Sequence, residues 1–231
     1  MSCAETVQAA AAALQRAWGH PVDLKLVDVV VDYAGAAAVL LRTALEDPPP
    51  GRSHTVIVKK ANTSEGVEME WAGLAFLAEL GATRPLVPQL LAADAAEKLI
   101  IMTDLADHGV QLIGDLLFTE AAGDRAEEAL NAAQAALGRL NAAGIDQQRR
   151  YDQIKSQRTG AQVSRHAVNT LDGMLAGLPR VFGKRLRRPV SKHVDDEIHA
   201  ARSCLFEPGP FTTVTHGDPT VGNLFFSPAR A

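Results

Sequence analysis

Three apolar runs crowded into residues 24–60, with only turn chemistry between them, constrain this chain's fold more than any other feature. The first, Leu24 to Val31, is rich in valine and leucine. The small-residue turn Asp32-Tyr33-Ala34-Gly35-Ala36 separates it from a second run, Ala38 to Ala44. Pro48-Pro49-Pro50-Gly51 then precedes a third, His54 to Lys60, which reads His-Thr-Val-Ile-Val-Lys-Lys. Runs of this length and composition predict strands, and a proline–glycine cluster predicts a loop. Alternation along the third strand sends Lys59 and Lys60 to opposite faces.

Helical patterns bracket these strands. Val7, Ala11, Leu14 and Trp18 recur at helical spacing and stop at Gly19-His20-Pro21, which predicts a helix over 4–18. Glu65 to Leu80 carries a broad apolar face (Val67, Trp71, Leu74, Ala75, Leu77, Ala78) and ends at Gly81. Pro85 to Ala92 and Glu97 to Thr103 predict two more strands, the second running Leu99-Ile100-Ile101-Met102 into Thr103-Asp104-Leu105. Beyond them Asp124 to Ala143 predicts a long alanine- and leucine-rich helix, and Val194 to Leu205 another. Residues 145–192 are locally basic, which suits a solvated helical face or an anion-attracting rim.

Composition narrows the function classes. A chain of 231 residues can bury a sizeable core. Its formal net charge of −4 gives no reason to expect nucleic acid as a partner. The 2 cysteines, Cys3 and Cys204, lie far apart without neighbouring ligands, so a disulfide framework or a structural zinc site is not expected. The N-terminus has no basic region of the signal-peptide kind, and no apolar run reaches membrane-spanning length. The expectation is a cytoplasmic protein with no membrane segment.

The chemistry concentrates near residue 220. Val214-Thr215-His216-Gly217-Asp218-Pro219-Thr220-Val221-Gly222-Asn223-Leu224-Phe225-Phe226 is a polar loop held between two apolar runs. It presents one carboxylate and one amide a few residues apart. Phosphoryl transfer from ATP uses such a pair: the aspartate orients and deprotonates a hydroxyl, and the asparagine oxygen helps hold Mg²⁺. The order His-x-Asp-x-x-x-x-Asn matches the catalytic loop of protein-kinase-like enzymes. With Gly217 between His216 and Asp218, it resembles the aminoglycoside phosphotransferase and choline kinase branch.

That resemblance implies an α+β, protein-kinase-like two-lobe fold. Residues 1–105 would form a small antiparallel-sheet N-lobe with its hinge at 102–105. Residues 106–231 would form a partial, mainly helical C-lobe with the catalytic loop at 214–226. It implies ATP and Mg²⁺ as cofactors and a small-molecule hydroxyl as acceptor. Asp218 becomes the catalytic base, His216 a structural support of the loop, and Asn223 a magnesium ligand. Gly35 lies in the turn over the phosphates, and Lys59 contacts them, with Lys60 as the fallback. Glu70, preferred over Glu68, pairs with that lysine because Glu70-Trp71-Ala72-Gly73-Leu74-Ala75-Phe76-Leu77 resembles the family's helix. Met102 and Asp104 mark the adenine hinge.

Three positions depart from the family pattern: Pro219 after the aspartate, Thr103 for a hinge glutamate, and Asn141 for a histidine ending the long helix. The family also continues into a strand whose aspartate binds the principal magnesium, whereas Leu224 to Ala231 contains no carboxylate side chain. The expectation is therefore a C-terminally incomplete kinase with impaired activity. A catalytically inactive, kinase-like nucleotide- or partner-binding module is the alternative. A metal-dependent phosphoesterase built on His216 and Asp218 is disfavoured, because the other histidines are scattered along the chain.

Overall fold

A computed structural model describes residues 2–31, 38–48, 53–81, 86–106, 110–119, 123–159, 166–187, 189–205 and 224–227. The architecture is α+β. Helix α1 (Cys3–Trp18) leads into strands β1 (Leu24–Val31), β2 (Ala38–Leu45) and β3 (Thr55–Ala61). Helix α2 (Ser64–Glu79) and strands β4 (Leu90–Asp94) and β5 (Leu99–Thr103) come next. These strands form a five-stranded sheet of order β1-β2-β3-β5-β4, antiparallel at every pairing. Strand β4 starts later than the sequence predicts: residues 86–89 are not strand, and β4 begins at Leu90. Pro88 has no N–H for a ladder, which explains why pairing starts only beyond it.

Local chemistry explains where the helices begin and end. Ser2 caps α1 reciprocally: its hydroxyl accepts from the Glu5 N–H at 3.3 Å, and its own N–H donates to Glu5 Oε2 at 2.6 Å. Hydrogen bonding from Ser2, its backbone N–H first, holds the Glu5 carboxyl below its ordinary pKa. Gly19 closes α1 at φ 77°, a left-handed conformation natural to glycine. Thr63 caps α2 by accepting from Gly66 N–H at 3.1 Å.

Alternation divides the sheet between two covers. On one face Leu41, Val56, Val58, Leu99 and Ile101 pack under α1 through Val7, Ala10 and Leu14. On the other, Ile57, Ala61, Ile100 and Met102 pack under α2 through Val67 and Leu74. Edge strand β1 shows register irregularities between Leu26 and Asp28 and between Val29 and Val31. Such bulges bend an edge away from pairing with other chains.

Two later helices attach to α2. Helix α4 (Gly123–Gly144) and helix α5 (Gln148–Thr159) bring Leu140, Tyr151 and Ile154 onto Ala75, Phe76 and Leu77. Phe76 and Tyr151 meet edge to face, with centroids 5.7 Å apart at 89°. Arg150 Nε adds a hydrogen bond of 3.0 Å to Glu79. Helices α6 (His166–Leu186) and α7 (Lys192–Leu205) pack on each other, joined by Arg202 Nε donating to Asp172 at 2.7 Å. The short strands β6 (Gln111–Leu112) and β7 (Phe225–Phe226) pair antiparallel, beside helix α3 (Ile113–Leu117). Phe226 is buried there with Ile113, Leu116 and Ala129. Among the described residues no helix is long and apolar enough to cross a membrane.

Candidate active site

Strand β3 delivers two lysines to two environments. Lys59 stands opposite Leu40 and Ile100, on the α2 face. There its Nζ donates to Glu70 Oε2 at 2.5 Å, and the two side chains keep 28% and 30% of their exposure. Lys60 points to the other face and donates to the Glu97 carbonyl, with the Glu97 carboxylate 3.9 Å away. Only Lys59 therefore shares a face with α2, and the acid it meets is Glu70. Glu68 makes no ion pair among the described residues.

The surroundings of Lys59 are apolar. Met102 is opposite Ile57 and Ile100 opposite Lys59 itself, so all four residues lie on one face. Met102 is buried against Leu74 and Leu90. Asp104, just past the end of β5, is also buried. Its Oδ2 accepts from Arg42 Nε at 2.7 Å and from Thr55 Oγ1 at 2.9 Å, and its Oδ1 accepts from the Ala106 N–H at 3.0 Å. Its carboxylate is thus engaged within the protein, tying the exit of β5 to β2 and β3.

Gly35, His216, Asp218 and Asn223 lie outside the described residues. Immediately after Asn223, the Leu224 carbonyl accepts from the Ile113 N–H at 2.9 Å, and β7 then pairs with β6. Among the described residues, no group of three or more His, Cys, Asp or Glu side chains could hold a metal ion.

Sequence reasoning missed Arg42 and Thr55. A signal for Arg42 exists: it is the one charged residue in Ala-Val-Leu-Leu-Arg-Thr-Ala-Leu. A charge inside an otherwise apolar strand needs a partner, and the buried Asp104 supplies it. Thr55 carries no comparable signal, because threonine is an ordinary strand residue.

No known protein-family model matches the chain, and no curated protein matches it.

Proposed function

We propose that the chain is an ATP-dependent small-molecule kinase, aminoglycoside phosphotransferase-like, that transfers the γ-phosphate to a substrate hydroxyl. The observation that carries this reading is the Lys59–Glu70 pair on the α2 face of the β1-β2-β3-β5-β4 sheet. Beside it the same strand face runs through half-buried Ile57 toward the end of β5, with Ile100 and Met102 seated under α2. An ammonium fixed by a carboxylate near the end of a strand suits the phosphates of a nucleotide. The reading extends to a two-lobe, kinase-like architecture with residues 1–105 as N-lobe and 106–231 as C-lobe.

Within it, Lys59 holds phosphate oxygens and Glu70 holds Lys59. Main-chain groups at the exit of β5 face the base. Asp218 accepts the proton of the attacking hydroxyl as its oxygen bonds to the γ-phosphorus and ADP leaves. His216 supports the loop. The side-chain oxygen of Asn223 is a hard donor of the type that suits magnesium. The metal, when bound, neutralises phosphate charge.

The test is a titration with a fluorescent ATP analogue in the presence of MgCl₂, followed by ADP release with a panel of hydroxyl acceptors. Asp218→Asn is expected to lower turnover by about 10²–10⁴-fold, the range of a lost general base, with nucleotide affinity nearly unchanged. An Asp218→Asn variant as active as the parent removes the assignment, and a parent chain that binds no ATP removes the reading. Binding without transfer in the parent supports the alternative, a kinase-like module that holds nucleotide only.

A further inference from the structure

Strand β5 has to leave the sheet somewhere, and the residues that hold its exit form a polar network in an otherwise apolar region. Gln89 ties Thr103 from the β4 side, through Thr103 N–H to the Gln89 carbonyl at 3.0 Å and Gln89 N–H to Thr103 Oγ1 at 2.9 Å. From the β2–β3 side, Asp104 is held by Arg42 and Thr55, and its other oxygen receives the Ala106 N–H. The Asp104 side chain keeps 4% of its exposure and Arg42 keeps 29%. A carboxylate this buried, with three donors directed at it, has a structural task and is closed to an incoming ligand.

Arg42 also has a fixed relation to Lys59. It stands opposite Ile57 on β2, and Lys59 is two residues further along β3 on the same face. Diagonal neighbours of this kind lie about 7–8 Å apart. The cation that fixes the β5 exit and the cation that meets Glu70 therefore belong to one pair of hydrogen-bonded strands. Shear between the exit and Lys59 would have to break that ladder.

We propose that Arg42 is a positioning residue for the base of a bound nucleotide. Acting through Asp104, it sets the main chain at 103–106 at a defined distance from Lys59. This inference rests on the nucleotide reading of the site. A ligand that spans both ends, a base joined to a triphosphate, depends on the clamp. A ligand that uses only the Lys59 end does not.

Two probes separate the ends: a fluorescent ATP analogue, and inorganic tripolyphosphate measured by its own binding heat. Arg42→Met is expected to weaken the ATP analogue about tenfold, the equivalent of one well-placed interaction. Tripolyphosphate affinity should stay within about twofold of the parent, the smaller end of what that scale resolves. Arg42→Lys, which keeps a cation of similar reach, should recover most of the loss. Thr55→Val removes a single bond to Asp104 and is the variant to read if Arg42→Met does not fold. It should weaken ATP about threefold with tripolyphosphate again unchanged. Parallel weakening of both probes in the folded variants, or unchanged ATP affinity, overturns the proposal and leaves the nucleotide reading standing. A parent chain that binds tripolyphosphate but gains nothing from the base also overturns it. Failure of the parent to bind either probe overturns the nucleotide reading itself.

Discussion

Replacing Phe76 by alanine should separate the two halves of the molecule more than any other single change. The ring is fully buried on α2, with Tyr151 and Ile154 from α5 and Leu140 from α4 around it. Phe→Ala in a core costs about 3–5 kcal/mol, the spread depending on how far the site can collapse. Two other helices, α4 and α5, wall this one, so collapse is limited and the upper half of that range applies. About 0.5–1.5 kcal/mol of it belongs to the edge-to-face geometry with Tyr151. Domains are commonly stable by only about 5–15 kcal/mol, so the loss is large.

Urea titration followed by tryptophan fluorescence is the assay, because Trp71 packs on this cluster and Trp18 on the α1 side of the sheet. A Trp18→Phe background leaves Trp71 as the reporter. Phe76→Ala should lower the midpoint by the equivalent of about 4 kcal/mol, and a cycle with Tyr151→Leu should return a coupling near 1 kcal/mol. A loss below about 1 kcal/mol would refute the argument. It would mean that α5 does not pack on α2 in solution.

Lys59→Met should weaken ATP binding about tenfold or more, the worth of a charged hydrogen bond, whereas Lys60→Met, on the opposite face, should leave it alone. Equal effects would refute the face assignment. Burial, and then the neighbouring Asp152 charge, push the Tyr151 phenol above its ordinary pKa. Its contribution to stability is therefore complete below about pH 10, the unfolded value, and is lost as pH rises through the folded one. Tyr151→Phe should flatten the alkaline limb of a stability–pH curve, and an unchanged limb refutes it. Asp172 is held below the usual carboxylate range by its hydrogen bonds to Arg202. That contribution is present above about pH 4 and fades as pH falls through the folded value. Amide protection in α6 and α7, corrected for the intrinsic pH dependence of exchange, should then fall in acid for the parent and be already low in Arg202→Gln, and equal protection in the two proteins refutes it.

The elements that can be read from the sequence are those whose own pattern matches their burial. The three strands expected over 24–60 emerge as β1, β2 and β3 with ends within one residue of expectation, while the turn at 32–36 and most of the proline–glycine loop lie outside the described residues. Helix α2 does likewise, because Val67, Leu74 and Ala75 face packed neighbours. Helix α5 cannot be read: Gln-Arg-Arg-Tyr-Asp-Gln-Ile-Lys-Ser-Gln-Arg-Thr offers a tyrosine and an isoleucine and no apolar period. Its place depends on Phe76 and Glu79 of another helix, which no local window contains. Arg42 illustrates the same limit at the site. Its charge is visible in β2, but Asp104 lies 62 positions away in the chain, and only the β2-β3-β5 order brings them together. The family resemblance implies that Lys59 and Glu70 meet, and alternation gives the lysines their faces. The chemistry at that contact is the part left to the proposal.

What brings Lys59 and Glu70 together is packing, with the ion pair as its consequence. Glu70 lies one helical turn from both Val67 and Leu74, the residues that seat α2 on Ile100 and Met102. Fully burying a side chain of the Val67 or Leu74 type is worth about 1.5–3 kcal/mol. Lys59–Glu70 is part-buried, so desolvation offsets its attraction and the net is about 1 kcal/mol or less. The seat therefore sets the phase of α2, and that phase carries Glu70 over Lys59 whether or not the charges attract. Glu70→Gln should accordingly change global stability by less than about 1 kcal/mol, while Val67→Ala should cost several times more. A larger loss from Glu70→Gln than from Val67→Ala would reverse this order of cause. A weak pair on a rigid seat also suits the phosphate-holding role proposed for Lys59. The ammonium can share its hydrogen bonds with a phosphate at little cost, and α2 stays where its apolar face holds it.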